Sequence, residues 1–548
     1  MEMLPAASGR PATRGSGREL AGSFGLGIAV ATLFYSTLLF GGSLHGYDWS
    51  SHHWNYFDWV RVSITEFHTL PLFMNDAWIT KNFLANAESP ILGPLTPLLW
   101  FLPTGAYIKL LVVLFSAAGF AGMVFLLRDL GVRREIAGFA ALVFAFNGFF
   151  VSHLSVGHPW VLGGQLLPGL VCAYRRAALG SGRGLWLAAA LNACAILGGQ
   201  HQPFVWQNLL LALLALLWAL RARALFPLSR LALLALATAG LAAVKLLPML
   251  AEFSDYDPTD RIQGLPAALV LPALLAAGQH PEWQAPGVVY AHRSGWWEYA
   301  FYVGPIAVGC LAAGLVLARR CWPLVAIAAL FFVLAVDWSS PLRGFDVWPW
   351  LDDLPIWRTQ RGPSLFLFLS LFGVTVVAAI GLQRLWERDF ARWPRAATGV
   401  ALAVSALAAA DLYAASLPWQ RAGVGAALSE RDHRPRPLEL RDAGRVTAEL
   451  REFAPNRLMY HAVAVEHGRL VFPFRYGKGA PEWRVEGLSA SSQRGKLAVD
   501  VPRGERDIVM VYRPRFFSAG IATSAITLLC VCGTWLWRRR RPPEDPKE

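Results

Sequence analysis

Long stretches without a charged side chain recur along this chain, and every second one closes on a cluster of arginines. A run of ~20 apolar residues is the length that crosses the hydrocarbon core of a bilayer as a helix. In lipid each backbone polar group must be bonded within its own segment, so such runs have to be helical. Charged residues make up 16% of the 548 residues, against roughly a quarter in soluble domains. The expected fold is therefore mainly α, a polytopic membrane helical bundle of about twelve transmembrane helices.

The arginines order this bundle. The net charge is +13, but the placement of the cations is that of a topology signal rather than of a nucleic-acid surface. Arg10, Arg14 and Arg18 precede the first run, residues 21–42, and place the N-terminal tail, residues 1–20, in the cytoplasm. That run is too long for the core of a signal peptide and no AxA-like cleavage site follows, so a retained first helix is expected. Later runs return to Arg128, Arg133 and Arg134, to Arg175, Arg176 and Arg183, to Arg221, Arg223 and Arg230, to Arg319 and Arg320, and to Arg384, Arg388, Arg392 and Arg395. The last run, residues 514–537, meets Arg538, Arg539, Arg540 and Arg541 in a basic tail, residues 538–548. The bundle, residues 21–416, then has extracytoplasmic loops at 43–103, 251–297 and 337–363, with both termini in the cytoplasm of a bacterial inner membrane.

Residues 417–513 differ in composition. LMYHAVAV, GRLVFPFRY, KLAVDV and DIVMVYR alternate apolar and polar positions between Gly-, Pro- and Asn-containing joints. Period-two alternation bounded by turn residues predicts strands, and a small extracytoplasmic β-sandwich follows. The six cysteines, Cys172, Cys194, Cys310, Cys321, Cys530 and Cys532, all fall in or beside apolar runs, with no disulfide framework or zinc spacing.

The groups that can carry chemistry collect on the outer side. The first loop reads GYDWSSHHWNYFDWVRVSITEFHTLPLFMNDAW. Its Asp48 falls just beyond the first helix, where it can act on a bilayer-anchored substrate, cap a helix or pair with a base. Residues 54–68 have the aromatic content of an interfacial helix. Glu298, in HRSGWWEYAFYVGP, is expected at the start of the eighth helix, either as a functional carboxylate at membrane depth or as an acid favoured by the helix dipole. Arg358 and Arg361, in WLDDLPIWRTQRGPSLFLF, stand against the positive-inside trend. Their fork geometry suits a phosphate, and pairing with Asp352 or Asp353 is the alternative. His158 in SVGHPW and His201 in GGQHQP occupy outer turns, either lining an outward cavity or relaying protons, or serving as turn polar groups. His52, His53, His158 and His201 show no metal-ligand spacing. No phosphate-cradling loop, kinase set or GxSxG element occurs.

These segments in their order resemble the bacterial YfhO-like membrane proteins, within the GT-C class of polyprenyl-phosphate-dependent glycosyltransferases. The resemblance rests on TLPLFMNDAW, SPILGPLTPL, NGFFVSHLSVGH, GGQHQP, WEYAFYVG, LPIWRTQRGPSLF and GKLAVDVPRGERDIVMVYRPRFFSAGIATS. It implies a GT-C-like bundle with interfacial helices beside an outward cavity. It also implies transfer of a sugar from a polyprenyl-phosphate donor to an envelope glycan, lipid or protein, among membrane lipids and without nucleic acid. By that resemblance Asp48 is the catalytic base, with Asp58, Glu66 and Asp76 in reserve, and Arg358 and Arg361 hold the departing lipid phosphate. No cofactor is expected, and because Asp48 is followed by Trp49 and not by the second acid some GT-C enzymes carry, the sequence does not support a divalent metal.

A secondary transporter or lipid-linked sugar flippase is the rival, since the helix number and the RDLGVRRE loop suit a carrier. Carriers form two similar halves with substrate groups near the midplane. Here Lys245 is the clearest embedded charge, and its long stem permits snorkelling. A non-catalytic assembly protein whose β-domain binds wall polymers is the third class.

Overall fold

The computed structural model describes residues 17–46, 48–75, 80–252, 264–279, 295–318, 321–337, 362–390, 392–425, 440–442, 445–476 and 483–540. The chain is mainly helical, with a small β region near its C-terminus. Among the described residues six helical segments are long and apolar enough to cross a membrane. They are α4 (Thr104–Asp129), the pair α5 (Arg134–Ala145) and α6 (Gly148–Val156), α9 (His201–Ala222), the segment Pro363–Phe390 that contains α15 (Leu367–Leu385), α16 (Pro394–Ala422), and the Phe517–Thr534 part of α17 (Phe517–Arg540). A seventh is the bent pair α10 (Phe226–Leu241) and α11 (Ala243–Glu252). The helices α8 (Gly182–Leu197), α13 (Pro305–Leu317) and α14 (Trp322–Ala335) are apolar but shorter. Leu33, Leu236 and Leu529 are 72%, 69% and 71% exposed, as side chains facing lipid rather than water would be.

The first helices lie antiparallel to α4. Gly27 of α1 (Gly17–Phe34) has no Cβ, and one there would approach Ala117 Cα to 2.9 Å, so the two backbones pack closely. Glu19 binds Arg128 at 3.1 Å at one end. At the other end Lys109 donates to the carbonyls of Leu39 and Gly42, both at 2.7 Å, beyond α2 (Ser36–Phe40). α4 has 26 residues, and at about 1.5 Å rise per residue Lys109 and Arg128 stand ~29 Å apart along it. Its C-terminal end gathers Arg128, Arg133, Arg134, Arg175 and Arg176, and the last two enclose the buried Asp129 between α4 and α7 (Leu167–Ala178).

Two helical segments are interrupted. α5 and α6 together run to Val156 and break at Asn147, whose side chain accepts from Phe149 N at 3.0 Å and starts α6 afresh. His153 therefore sits on α6. The pair α10 and α11 bends by 86°. The backbone N–H of Val244, freed at the bend, donates to Ser524 Oγ of α17 at 3.0 Å. Lys245 is fully buried, and its ammonium donates to the Ser89 carbonyl at 2.6 Å. The snorkelling that the stem of Lys245 permits gives way to this internal bond, because a buried ammonium must be hydrogen-bonded.

The β region holds two antiparallel sheets. β7 (Leu440–Asp442), β8 (Val446–Ala454), β9 (Arg457–Ala464), β11 (Trp483–Val485) and β14 (Gly504–Tyr512) run in the order β11-β14-β9-β8-β7. β10 (Gly468–Arg475), β12 (Ala490–Gln493) and β13 (Lys496–Val501) run β10-β13-β12. Alternate residues of both, among them Leu458, Tyr460, Leu470, Phe472, Ile508 and Met510, share one core, as their period-two pattern requires. α16 runs to Ala422, past the expected boundary at 417, with Pro418 inside it. Gln420 holds this last turn by donating to Phe34 O at 2.7 Å and accepting from Leu38 N at 3.2 Å.

The first loop is bound to both bodies. β1 (Ser43–Leu44) pairs antiparallel with β6 (Val424–Gly425) just after α16. α3 (Trp54–Thr65), within the residues whose aromatic content is that of an interfacial helix, is largely buried. Beyond it, Phe73 of β2 (Phe73–Asn75) enters the β core, 4.7 Å from the Trp483 ring and 5.0 Å from that of Tyr512.

Candidate functional site

Asp48 lies on the short crossing between β1 and a π-helical turn, Trp49–His53, that leads into α3. Two glycines let this crossing settle on the C-terminal end of α6. A Cβ at Gly46 would stand 2.5 Å from Ser155 O, and one at Gly157 would stand 2.2 Å from Trp49 N. Gly157 has φ +111° and closes α6 in the left-handed region that glycine enters without cost. Trp49 is fully buried, and its indole donates to Leu154 O at 2.9 Å.

This seating brings Asp48 Oδ2 to 2.5 Å from His158 Nε2. His158 Nδ1 in turn meets His153 Nδ1 at 2.9 Å. Glu298 completes the group: one ligand atom from each of His153, His158 and Glu298 lies within 4.8 Å of the others. Trp160 stacks on His158 at 5.4 Å, and Phe149 meets His153 edge-on at 4.8 Å. The side chain of Asp48 is 24% exposed and that of His158 is 9% exposed, so Asp48 is the accessible member of the pair.

The electrostatics follow from burial and pairing. Burial opposes ionisation of Asp48, but the hydrogen bond and charge of His158, with His53 and His52, outweigh it and hold the carboxyl below its ordinary range. Burial opposes protonation of His158, and Asp48, Glu298 and Glu88 overcome it, raising its pKa. His53, buried in the π-turn, is pushed down to about 4 by desolvation. Desolvation likewise raises the pKa of Glu298. Among the described residues Glu298 Oε2 and His153 Nε2 have no hydrogen-bond partner, and a buried polar atom left so costs about 1–3 kcal/mol.

Of the residues singled out from the sequence, Asp48, His158 and Glu298 come together. Glu298 ends a short 3-10 turn, Trp296–Glu298, ahead of α13 and not at its start, so no dipole of that helix acts on it directly. His201 is the first residue of α9, two residues after Gly199, which packs on the carbonyl of Glu88. α9 reaches the cluster through Trp206, 6.1 Å from the Trp160 ring. Arg358, Arg361 and Asp76 lie outside the described residues. Asp58 is buried and accepts from Thr104 Oγ1 at 2.8 Å, which fixes α3 to α4, and Glu66 is exposed at the end of α3. His153 escaped the sequence analysis. The signal was the spacing HLSVGH, in which a left-handed glycine folds His158 back onto the last turn of the helix that carries His153. A small cleft lined by Phe146, Gly148, Gln279, Tyr302 and Trp419 lies elsewhere, with no member of the cluster in its wall.

The fold thus defines a multi-pass, mainly helical membrane protein with a small β region and a buried His–His–carboxylate cluster that opens through one aspartate. No family model, curated protein or solved structure matches the chain.

Proposed function

We propose that this protein is a membrane glycosyltransferase of the GT-C class, similar to the YfhO-like proteins. It moves a sugar from a polyprenyl-phosphate donor to an envelope acceptor on the extracytoplasmic face. The observation that carries this reading is the position of Asp48. It is a partly exposed carboxylate held by a buried histidine at the end of the bundle opposite the arginine clusters. By the positive-inside rule that end faces outward. There a lipid-anchored donor meets a water-borne acceptor.

In this mechanism Asp48 takes the proton of the acceptor hydroxyl as that oxygen attacks the anomeric carbon. The bond from that carbon to the phosphate oxygen breaks, and the polyprenyl phosphate departs with its electron pair. His158 is a positioning residue that fixes the carboxylate of Asp48. Arg358 and Arg361 hold the departing phosphate, where preorganised charge counts most.

The same reading takes the membrane crossings as twelve. To the six long segments and the bent pair it adds α8, α13, α14, the α1–α2 segment and the segment of α7 with its preceding 3-10 turn, Pro159–Leu166. Both termini then lie in the cytoplasm of a bacterial inner membrane, and the two β sheets close as an outer sandwich.

The test is glycan analysis of envelopes from cells making wild-type or Asp48→Asn protein at equal levels. The reading expects the affected glycan to disappear with Asp48→Asn. Unchanged glycans on a well-inserted variant would remove the assignment.

A further inference from the structure

The geometry points to a divalent transition-metal site of the zinc class formed by His153, His158 and Glu298. Two imidazoles and one carboxylate are a donor set that zinc takes, and three protein ligands leave a further position open for water or substrate. All three side chains are buried, and their ligand atoms lie within 4.8 Å of one another. Ligands at about 2.0–2.1 Å from a shared ion stand roughly 3–4 Å apart, so a small side-chain rotation closes the set.

Two further observations point to a ligand here. Glu298 Oε2 and His153 Nε2 are buried without a hydrogen-bond partner among the described residues, although protein interiors rarely leave such atoms so. His158 has the arrangement a metal-binding histidine needs. Its Nε2 faces Asp48 Oδ2 at 2.5 Å while its Nδ1 turns inward to His153. A ligating imidazole commonly donates its other N–H to a carboxylate, which fixes its tautomer and leaves the inner nitrogen bearing a lone pair. Asp48 then links the ion to the accessible edge of the site.

This inference goes beyond sugar transfer and does not depend on it, because its test reads metal and not turnover. Full-length protein in detergent, stripped with a chelator, is dialysed against zinc chloride, and bound zinc is measured by elemental analysis. One zinc per chain is expected. The affinity falls more than about 100-fold in His153→Ala and in Glu298→Gln, and about 10–100-fold in Asp48→Asn, whose loss disturbs only the outer partner of His158. His461→Ala, on the exposed face of β9, retains the zinc. Equal zinc in wild type and in both ligand variants, or loss of zinc in His461→Ala, overturns the site. Should the ligand variants not fold, the wild-type protein loaded with Co²⁺ decides. Visible d–d absorption of a nitrogen- and oxygen-ligated ion supports the site, and a spectrum without it overturns the site.

Discussion

His158 Nε2 and Asp48 Oδ2 stand 2.5 Å apart although 110 residues separate them in the chain. The contact joins the end of the first helical pair to the end of α6. It exists because Gly46 and Gly157 let two backbones meet where a side chain would keep them apart.

Replacing Gly157 tests that dependence. Gly157→Ala forces a non-glycine residue to φ +111° with its Cβ 2.2 Å from Trp49 N. A cost of about 1–3 kcal/mol is expected from the backbone alone. Thermal unfolding in detergent should fall accordingly, and sugar transfer should fall further than stability does, because Asp48 is displaced. Wild-type behaviour would show that the crossing is not held by this close approach.

His158 separates positioning from catalysis. His158→Gln keeps a side-chain donor beside Asp48 and His158→Ala removes it. The alanine variant should lose transfer at least about 10-fold more than the glutamine variant, mainly in kcat, since the positioned base acts in the transition state. Equal losses in both variants would assign His158 a packing role only.

Phe73 ties the first loop to the β region. Its ring lies in the β core against Trp483, and Asn456 reinforces the junction by accepting from Leu72 N at 2.7 Å and donating to Leu70 O at 2.8 Å. Phe73→Ala should destabilise this docking by about 3–5 kcal/mol, the usual cost of deleting a buried phenyl ring. Limited proteolysis would register it as faster cutting within the first loop. An unchanged cleavage pattern would mean that the loop holds its place without the β region.

Lys245 carries the bend between α10 and α11 to the first loop. Lys245→Met keeps the stem and deletes the donor to the Ser89 carbonyl, so a loss of about 1–3 kcal/mol is expected from the unpaired group. An unchanged unfolding temperature would show that this bond does not order residues 87–89.

The helical character of the chain and its β strands were legible because their signals are local. α4 and α17 appear as apolar runs, and β9, β10, β13 and β14 as alternating ones. The strands β8, β11 and β12 were harder to see. VTAELREFA carries charges on its outward face, and WRV and ASSQ are too short for a period to emerge. The bend near Ala242 left no mark, because it is set by Ser524 and Lys245 bonding across the fold and not by a proline or glycine pair. At the site, Asp48, Glu298 and His158 stood out as polar groups beside apolar runs. His153 did not, since it lies inside one, and only the left-handed turn at Gly157 shows that it faces His158.

The most direct test of sugar transfer at the Asp48 site uses purified protein in sealed vesicles with radiolabelled polyprenyl-phosphate sugars and added envelope acceptor. The account predicts that the wild-type protein moves label from the lipid to the acceptor and releases polyprenyl phosphate. Asp48→Asn, folded and inserted like the wild type, should do so at least about 100-fold more slowly, within the range expected for loss of a general base. Transfer at the wild-type rate by Asp48→Asn, or passage of label across the membrane with the sugar still on its lipid, would contradict it.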